Sequence, residues 1–135
     1  MSSSVDVIAI LKKAKQKRKG FVNGAKTSVQ QQKLLHEVRQ LSPDAVQNYA
    51  IKIPGKSYLR HADVAIPYLR LDFEYDGKYY HAGKDKKQDD NYRDFELKAL
   101  GWRTIRVNAK NYKSFLTLLP EFIKLRKQEL GIKFA

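Results

Sequence analysis

Residues 62–81 read A-D-V-A-I-P-Y-L-R-L-D-F-E-Y-D-G-K-Y-Y-H. Pro67-Tyr68 interrupts the chain between two apolar-rich runs, and from Leu69 the pattern alternates strictly. Leu69, Leu71, Phe73 and Tyr75 fall on one side of an extended chain, and Arg70, Asp72, Glu74 and Asp76 on the other. That period of two predicts a strand over 69–76. Y-L-R-H-A-D-V-A-I at 58–66 predicts the strand before it. Asp63 and Glu74 thus belong to neighbouring strands joined by a tight turn, which places their backbones about 5 Å apart. Two carboxylates that close repel one another unless a proton or a cation lies between them.

Upstream, A-V-Q-N-Y-A-I-K-I at 45–53 predicts another strand, closed by the turn P-G-K-S. Before it, Val29, Leu34, Leu35, Val38 and Leu41 give a helix one apolar side, with Thr27 or Ser28 as cap and Ser42-Pro43-Asp44 as its end. Gly20 to Thr27, with two glycines and an asparagine, predicts a loop. Val7, Ile10, Leu11 and Ala14 fall at i, i+3, i+4 and i+7 and predict a short amphipathic helix. Downstream, H-A-G-K-D-K-K-Q-D-D at 81–90 predicts a polar, mobile loop. A helix is expected over Asn91 to Leu100, stopped by Gly101. W-R-T-I-R-V at 102–107 predicts a further strand, and Asn111 to Leu130 a last helix that Pro120 is expected to kink or divide. The organisation expected is a single α/β domain over 27–135 behind a basic, helical extension at 1–26.

The chain has 135 residues, with 27 Lys and Arg against 14 Asp and Glu, a formal charge of +13. Such an excess favours polyanionic partners, nucleic acid before an anionic membrane surface. Lys12, Lys13, Lys15, Lys17, Arg18 and Lys19 form the densest run, and no acid occurs between Asp6 and Glu37. This run is expected to grip phosphates without reading sequence. With no cysteine, disulfides, thiolate zinc sites and cysteine nucleophiles are excluded. The short apolar run at the start holds Asp6 and carries its positive charges after it, unlike a secretory signal. No stretch has the length and apolarity of a membrane span, so a cytoplasmic protein (host-cell cytoplasm if phage-encoded) is expected.

Acids clustered within so cationic a chain point to a metal site acting on a polyanion. Asp63 and Glu74 offer hard oxygen donors, and magnesium, with manganese as its substitute, keeps waters that a phosphate can replace. Asp72 and Asp76 flank Glu74 and deepen the negative potential. The competing reading is a strand with a solvated charged face. His81 follows the acidic strand, and a neutral imidazole accepts a proton near pH 7. Arg93 and Asp94 open the helix at 91–100, where an acid is an ordinary partner of the helix dipole and Arg93 either meets phosphate or pairs with Asp90.

Together, A-D-V-A-I, L-D-F-E-Y-D-G, His81, D-N-Y-R-D-F-E-L-K-A-L-G-W and R-T-I-R-V resemble, in order and spacing, the very-short-patch-repair-like (Vsr-like) endonucleases of the PD-(D/E)XK nuclease superfamily. The resemblance covers about Thr27 to Val107. It implies a restriction-endonuclease-like core, a central mixed β-sheet of about four strands flanked by helices, and a magnesium-dependent phosphodiesterase site. Asp63 falls on the first metal-binding aspartate and Glu74 on the second acid, with the backbone carbonyl of Tyr75 as a further ligand. His81 falls on the histidine that acts on the attacking water, and Asp94 on the acid that supports it. Asp76 replaces the superfamily lysine, and Gln32 aligns with a glutamate that related small nucleases carry in the preceding helix. The function expected is metal-dependent cleavage of DNA, by nicking or, as a homodimer, through both strands. The alternatives are a non-catalytic nucleic-acid-binding module that keeps the fold, and a structural protein whose acidic strand is a solvated face.

Overall fold

The structure is a computed structural model that describes residues 21–22, 25–26, 28–76 and 84–132, with side chains over 28–76 and 88–132. The helix expected at 7–14, the basic run at 12–19 and His81 lie outside the described residues. A two-residue hairpin, β1 (Phe21–Val22) with β2 (Ala25–Lys26), stands where a loop was expected. Then follow α1 (Val29–Leu41), β3 (Val46–Lys52), β4 (Leu59–Ile66), a 3-10 turn at Pro67–Leu69, β5 (Leu71–Tyr75), α2 (Lys84–Ala99), β6 (Arg103–Val107) and α3 (Tyr112–Glu129).

The fold is α/β, an open four-stranded mixed sheet in the order β3-β4-β5-β6. β3, β4 and β5 form an antiparallel meander, and β6 returns parallel to β5 after the α2 crossover. This architecture is consistent with a restriction-endonuclease-like core, as expected, without being specific to it. Among the described residues, no helix is long and apolar enough to cross a membrane.

Each face of the sheet has its own core. Val64, Ile66, Leu71, Phe73 and Val107 pack against Leu34 and Val38 of α1 and Phe115, Leu119 and Ile123 of α3. Ile51, Ile53, Ala62 and Ala65 pack against Leu97 of α2, with Trp102 and Tyr49 beside them. β5 is therefore covered on both sides, and Leu71, Asp72 and Phe73 are all at most 1% exposed. Asp72 does not lie on a solvated face, which removes that reading for this residue.

Element ends follow local chemistry. Ser28 caps α1 in a capping box: its hydroxyl accepts from the Gln31 N–H, and the Gln31 side chain accepts from the Ser28 N–H. β5 begins at Leu71 rather than 69, because Pro67 opens a 3-10 turn that closes with Arg70 in the left-handed region, φ 46°. α2 starts at Lys84, seven residues before the expected Asn91. K-D-K-K-Q-D-D has no apolar residue for periodicity to register, yet Lys and Gln are good helix formers. Extending a helix that is already nucleated costs little. Gly101, at φ 83°, ends α2, and the Trp102 N–H returns to the Leu97 carbonyl at 2.9 Å. α3 runs undivided through Pro120, which is exposed, so water can meet the carbonyl that loses its donor.

Arg126 of α3 is buried, and its guanidinium donates to three main-chain oxygens. Nε donates to Leu69 O at 2.7 Å, and Nη2 donates to Gly101 O and to Arg70 O. It thereby ties both the β4–β5 turn and the end of α2 to the C-terminal helix. Arg126→Ala is expected to destabilise the fold by about 3 kcal/mol through the loss of charge-assisted bonds and the stranding of buried carbonyls. Urea unfolding with an unchanged m-value tests this, and a loss below about 1 kcal/mol would mean water serves those carbonyls equally well.

Candidate functional site

β3 pairs with β4 so that Gln47 lies opposite Val64 and Tyr49 opposite Ala62. Asn48 and Asp63 fall opposite one another in that register, and Asn48 has φ 50°. Regular alternation would put Ala62 on the same face as Val64 and Ile66. Instead Ala62 joins Ala65, Ile51 and Leu97 on the α2 side, while Val64 and Ile66 face α1 and α3. The side-chain alternation slips by one residue at Asn48 and Asp63, as it does at β-bulges. A left-handed residue within a strand costs about 1–3 kcal/mol unless glycine or asparagine adopts it. Asn48→Val is therefore expected to destabilise by that amount and Asn48→Gly by clearly less. Equal losses in thermal melts would mean that the Asn48 side chain, not the backbone turn, matters.

The consequence of the slip appears one strand over. β4 and β5 share regular pairs from Ile66–Leu71 to Val64–Phe73. Beyond that point carboxylates replace the ladder: the Asp63 N–H donates to Glu74 Oε2 at 2.8 Å, and the Tyr75 N–H donates to Asp63 Oδ2 at 2.8 Å. Two acids on paired strands are thus cross-braced, Glu74 by the Asp63 main chain and Asp63 by the main chain of Tyr75, and one oxygen of each lies outside these two contacts. The Gln31 side chain, from the first turn of α1, lies close enough to the Asp63 carboxylate to oppose the rise of its pKa. The helix therefore reaches the site through Gln31 rather than through Gln32, which is buried with its Oε1 lacking a hydrogen-bond partner.

Beneath Glu74 lies a buried guanidinium. Arg93 Nη2 is 3.1 Å from Glu74 Oε2, 3.1 Å from Asp72 Oδ2 and 3.0 Å from the His61 carbonyl oxygen. The Thr104 hydroxyl donates to the same Asp72 oxygen at 3.1 Å. Arg93 was expected either to meet phosphate or to pair with Asp90. It is instead turned inward, because Asp72 has no solvent and α2 is the element that covers its face. A second polar clamp holds α2 to β4: buried Glu96 accepts from Tyr58 Oη at 2.7 Å and pairs with Arg60 at 2.7 Å.

Asp94 and Asp76 lie to one side, half-exposed and both on Arg106, at 2.8 Å and 3.7 Å. Of the acids expected to act, Asp63 and Glu74 converge, while Asp76 and Asp94 share Arg106, and Asp94 also lies 3.7 Å from Arg93 Nη1. Tyr75 contributes its N–H to Asp63, and its ring packs edge-on against Tyr112 at 6.3 Å.

Burial pushes the Asp63 carboxyl up to about 6, the Asp72 charge adds to the rise, and the Tyr75 N–H and Arg93 oppose it. Burial, then the Asp72 and Asp63 charges, raise Glu74 well above the usual carboxylate range. Burial is the main cause in both, and crowding of Asp63, Asp72 and Glu74 around the single guanidinium of Arg93 adds to it. Two crowded carboxylates with hard oxygen donors fit a divalent ion such as magnesium, which needs only one or two carboxylates and keeps its waters. Among the described residues, no three acidic or imidazole side chains converge on one point. An ion would therefore be held by Asp63 and Glu74, with main-chain oxygen and water completing its shell.

The raised acids also set a pH dependence. Asp63 binds its proton more tightly folded, near pH 6, than unfolded, near 3.8. That contribution to stability is complete below the unfolded value and is lost as pH rises through about 6. Without divalent ions, the melting temperature is expected to fall between pH 4 and 6, and Asp63→Asn is expected to flatten that fall. A wild-type slope retained in Asp63→Asn would assign the titration elsewhere.

No protein-family model matches the chain, and no curated protein matches it.

Proposed function

We propose that the chain is a divalent-metal-dependent DNA endonuclease. The observation that carries this reading is the cross-braced pair Asp63 and Glu74, largely buried and crowded by Asp72, inside a chain of net charge +13. A bound magnesium or manganese ion supplies charge neutralisation at the scissile phosphate. Asp63 and Glu74 hold it on rigid, paired strands, and Arg93 fixes the direction of Glu74. His81 takes the proton of the attacking water, and Asp94, held by Arg106, is the acid available to orient it. The lysine-rich run at 12–19 draws in the DNA backbone, giving binding that weakens steeply with salt.

A second reading keeps the fold and the nucleic-acid binding but not turnover. It draws on Asp76, which stands where the superfamily has a lysine and here lies 3.7 Å from Arg106. Nicking of supercoiled plasmid in magnesium separates the two. Asp63→Ala and Glu74→Ala are each expected to lower cleavage by about 10³-fold or more, the scale of several kcal/mol of charge stabilisation. DNA affinity in EDTA is expected to stay unchanged or rise slightly, because each change removes negative charge. Wild-type-like nicking by either variant would end the assignment, and no nicking by the wild type on plasmid, mismatched or branched DNA would favour the second reading.

A further inference from the structure

Around Arg93 Nη2 the structure builds a cage. Its walls are Asp72 Oδ2 and Glu74 Oε2, each at 3.1 Å, and the His61 carbonyl oxygen at 3.0 Å. Carboxylates with a main-chain carbonyl are the donor set of a hard cation. Here the cation at the centre is a side chain, and the spacing is that of N–H···O bonds rather than of metal–oxygen bonds, which run about 2.0–2.6 Å. The cage has ligand capacity that Arg93 does not use. Asp72 is fully buried, yet its Oδ1 has no hydrogen-bond partner, while Arg93 Nη1 makes no hydrogen bond and lies 3.7 Å from Asp94 Oδ1. An ionised carboxylate accepts through both oxygens, and an unmet one in a place without water is costly.

We propose that Arg93 occupies a second divalent-cation site, formed by Asp72, Glu74 and the His61 carbonyl, and that this built-in cation limits the chain to one bound metal ion. The inference rests on the reading that Asp63 and Glu74 hold an ion, but the cage itself does not. Glu74 serves both positions, one carboxylate oxygen being turned to Arg93. A guanidinium carries one charge where a metal ion carries two, so Arg93 offsets the crowded acids less fully than a second ion would. Two-metal phosphodiesterases place a second ion to steady the leaving oxygen. Here the cation is covalently attached and acts by positioning Glu74.

Manganese titration of the full chain, read by calorimetry and by the electron paramagnetic resonance of free Mn2+, tests this without reference to cleavage. Wild type is expected to bind one ion, Arg93→Met two, and Arg93→Lys, which keeps the charge, one. Arg93→Met combined with Asp72→Asn is expected to return to one. Two ions in wild type, one ion in both wild type and Arg93→Met, or two in the double variant would each overturn the proposal. No ion in wild type but one in Arg93→Met would sink the Asp63–Glu74 metal reading and leave the cage standing. No ion in either would end both. If Arg93→Met fails to fold alone, saturating manganese is expected to restore it. Where it does fold alone, manganese is expected to raise its melting temperature by about 10 °C at a hundredfold excess over Kd, more than in wild type. A variant that stays unfolded in saturating manganese, or one whose melting point manganese leaves unmoved, counts against the site.

Discussion

A carboxylate with no solvent contact must be compensated inside the protein, and Asp72 in β5 is such a group. Because β5 is covered on both sides, the compensating charge has to come from an element lying on it. α2 lies there, and Arg93 supplies the charge. Once Arg93 is committed to Asp72, its Nη2 also reaches Glu74 and the His61 carbonyl, so the same contact fixes an acid on β5 and a main-chain group on β4. The position of α2, the crossover to β6 and the direction of Glu74 follow from one buried charge.

The sheet was legible because its signals are short-range. Strict alternation over Leu69 to Tyr75, the break at Pro67 and the turn at Pro54-Gly55 define β3, β4 and β5 almost to the residue. The pairing of Asp63 with Glu74 followed from counting outward from a tight turn. The helical spacing of Phe115, Leu118, Leu119, Phe122 and Ile123 defined α3 despite Pro120, whose effect depends on which side of the helix meets water, although Leu118, expected on the core side, is exposed.

What escaped the sequence depends on tertiary context. Alternation says that Asp72 faces away from Phe73, but not that a helix covers that side. The inward turn of Arg93 follows only from that burial. The slip at Asn48 keeps the β3–β4 register constant, so no insertion or missing residue marks it, and Asn at a left-handed position is the single local hint. Gln31 and Gln32 are indistinguishable as residue types. Only the rotation of α1, set by Leu34 and Val38, decides that Gln31 reaches Asp63 while Gln32 is buried. The first turns of α2 lack apolar residues, and their helicity is inherited from the docked half around Arg93 and Leu97.

Arg126 binds the Leu69 carbonyl from 57 positions later in the chain. A ribosome makes the β4–β5 hairpin well before it makes α3. Until Arg126 emerges, the turn between the two acid-bearing strands has no internal donor for that carbonyl, and Phe73 has no Phe115 to pack on. A growing chain therefore holds Asp63 and Glu74 on strands whose hinge is not yet locked. The rigidity of the strands that carry Asp63 and Glu74 is thus tied to α3, the last helix among the described residues.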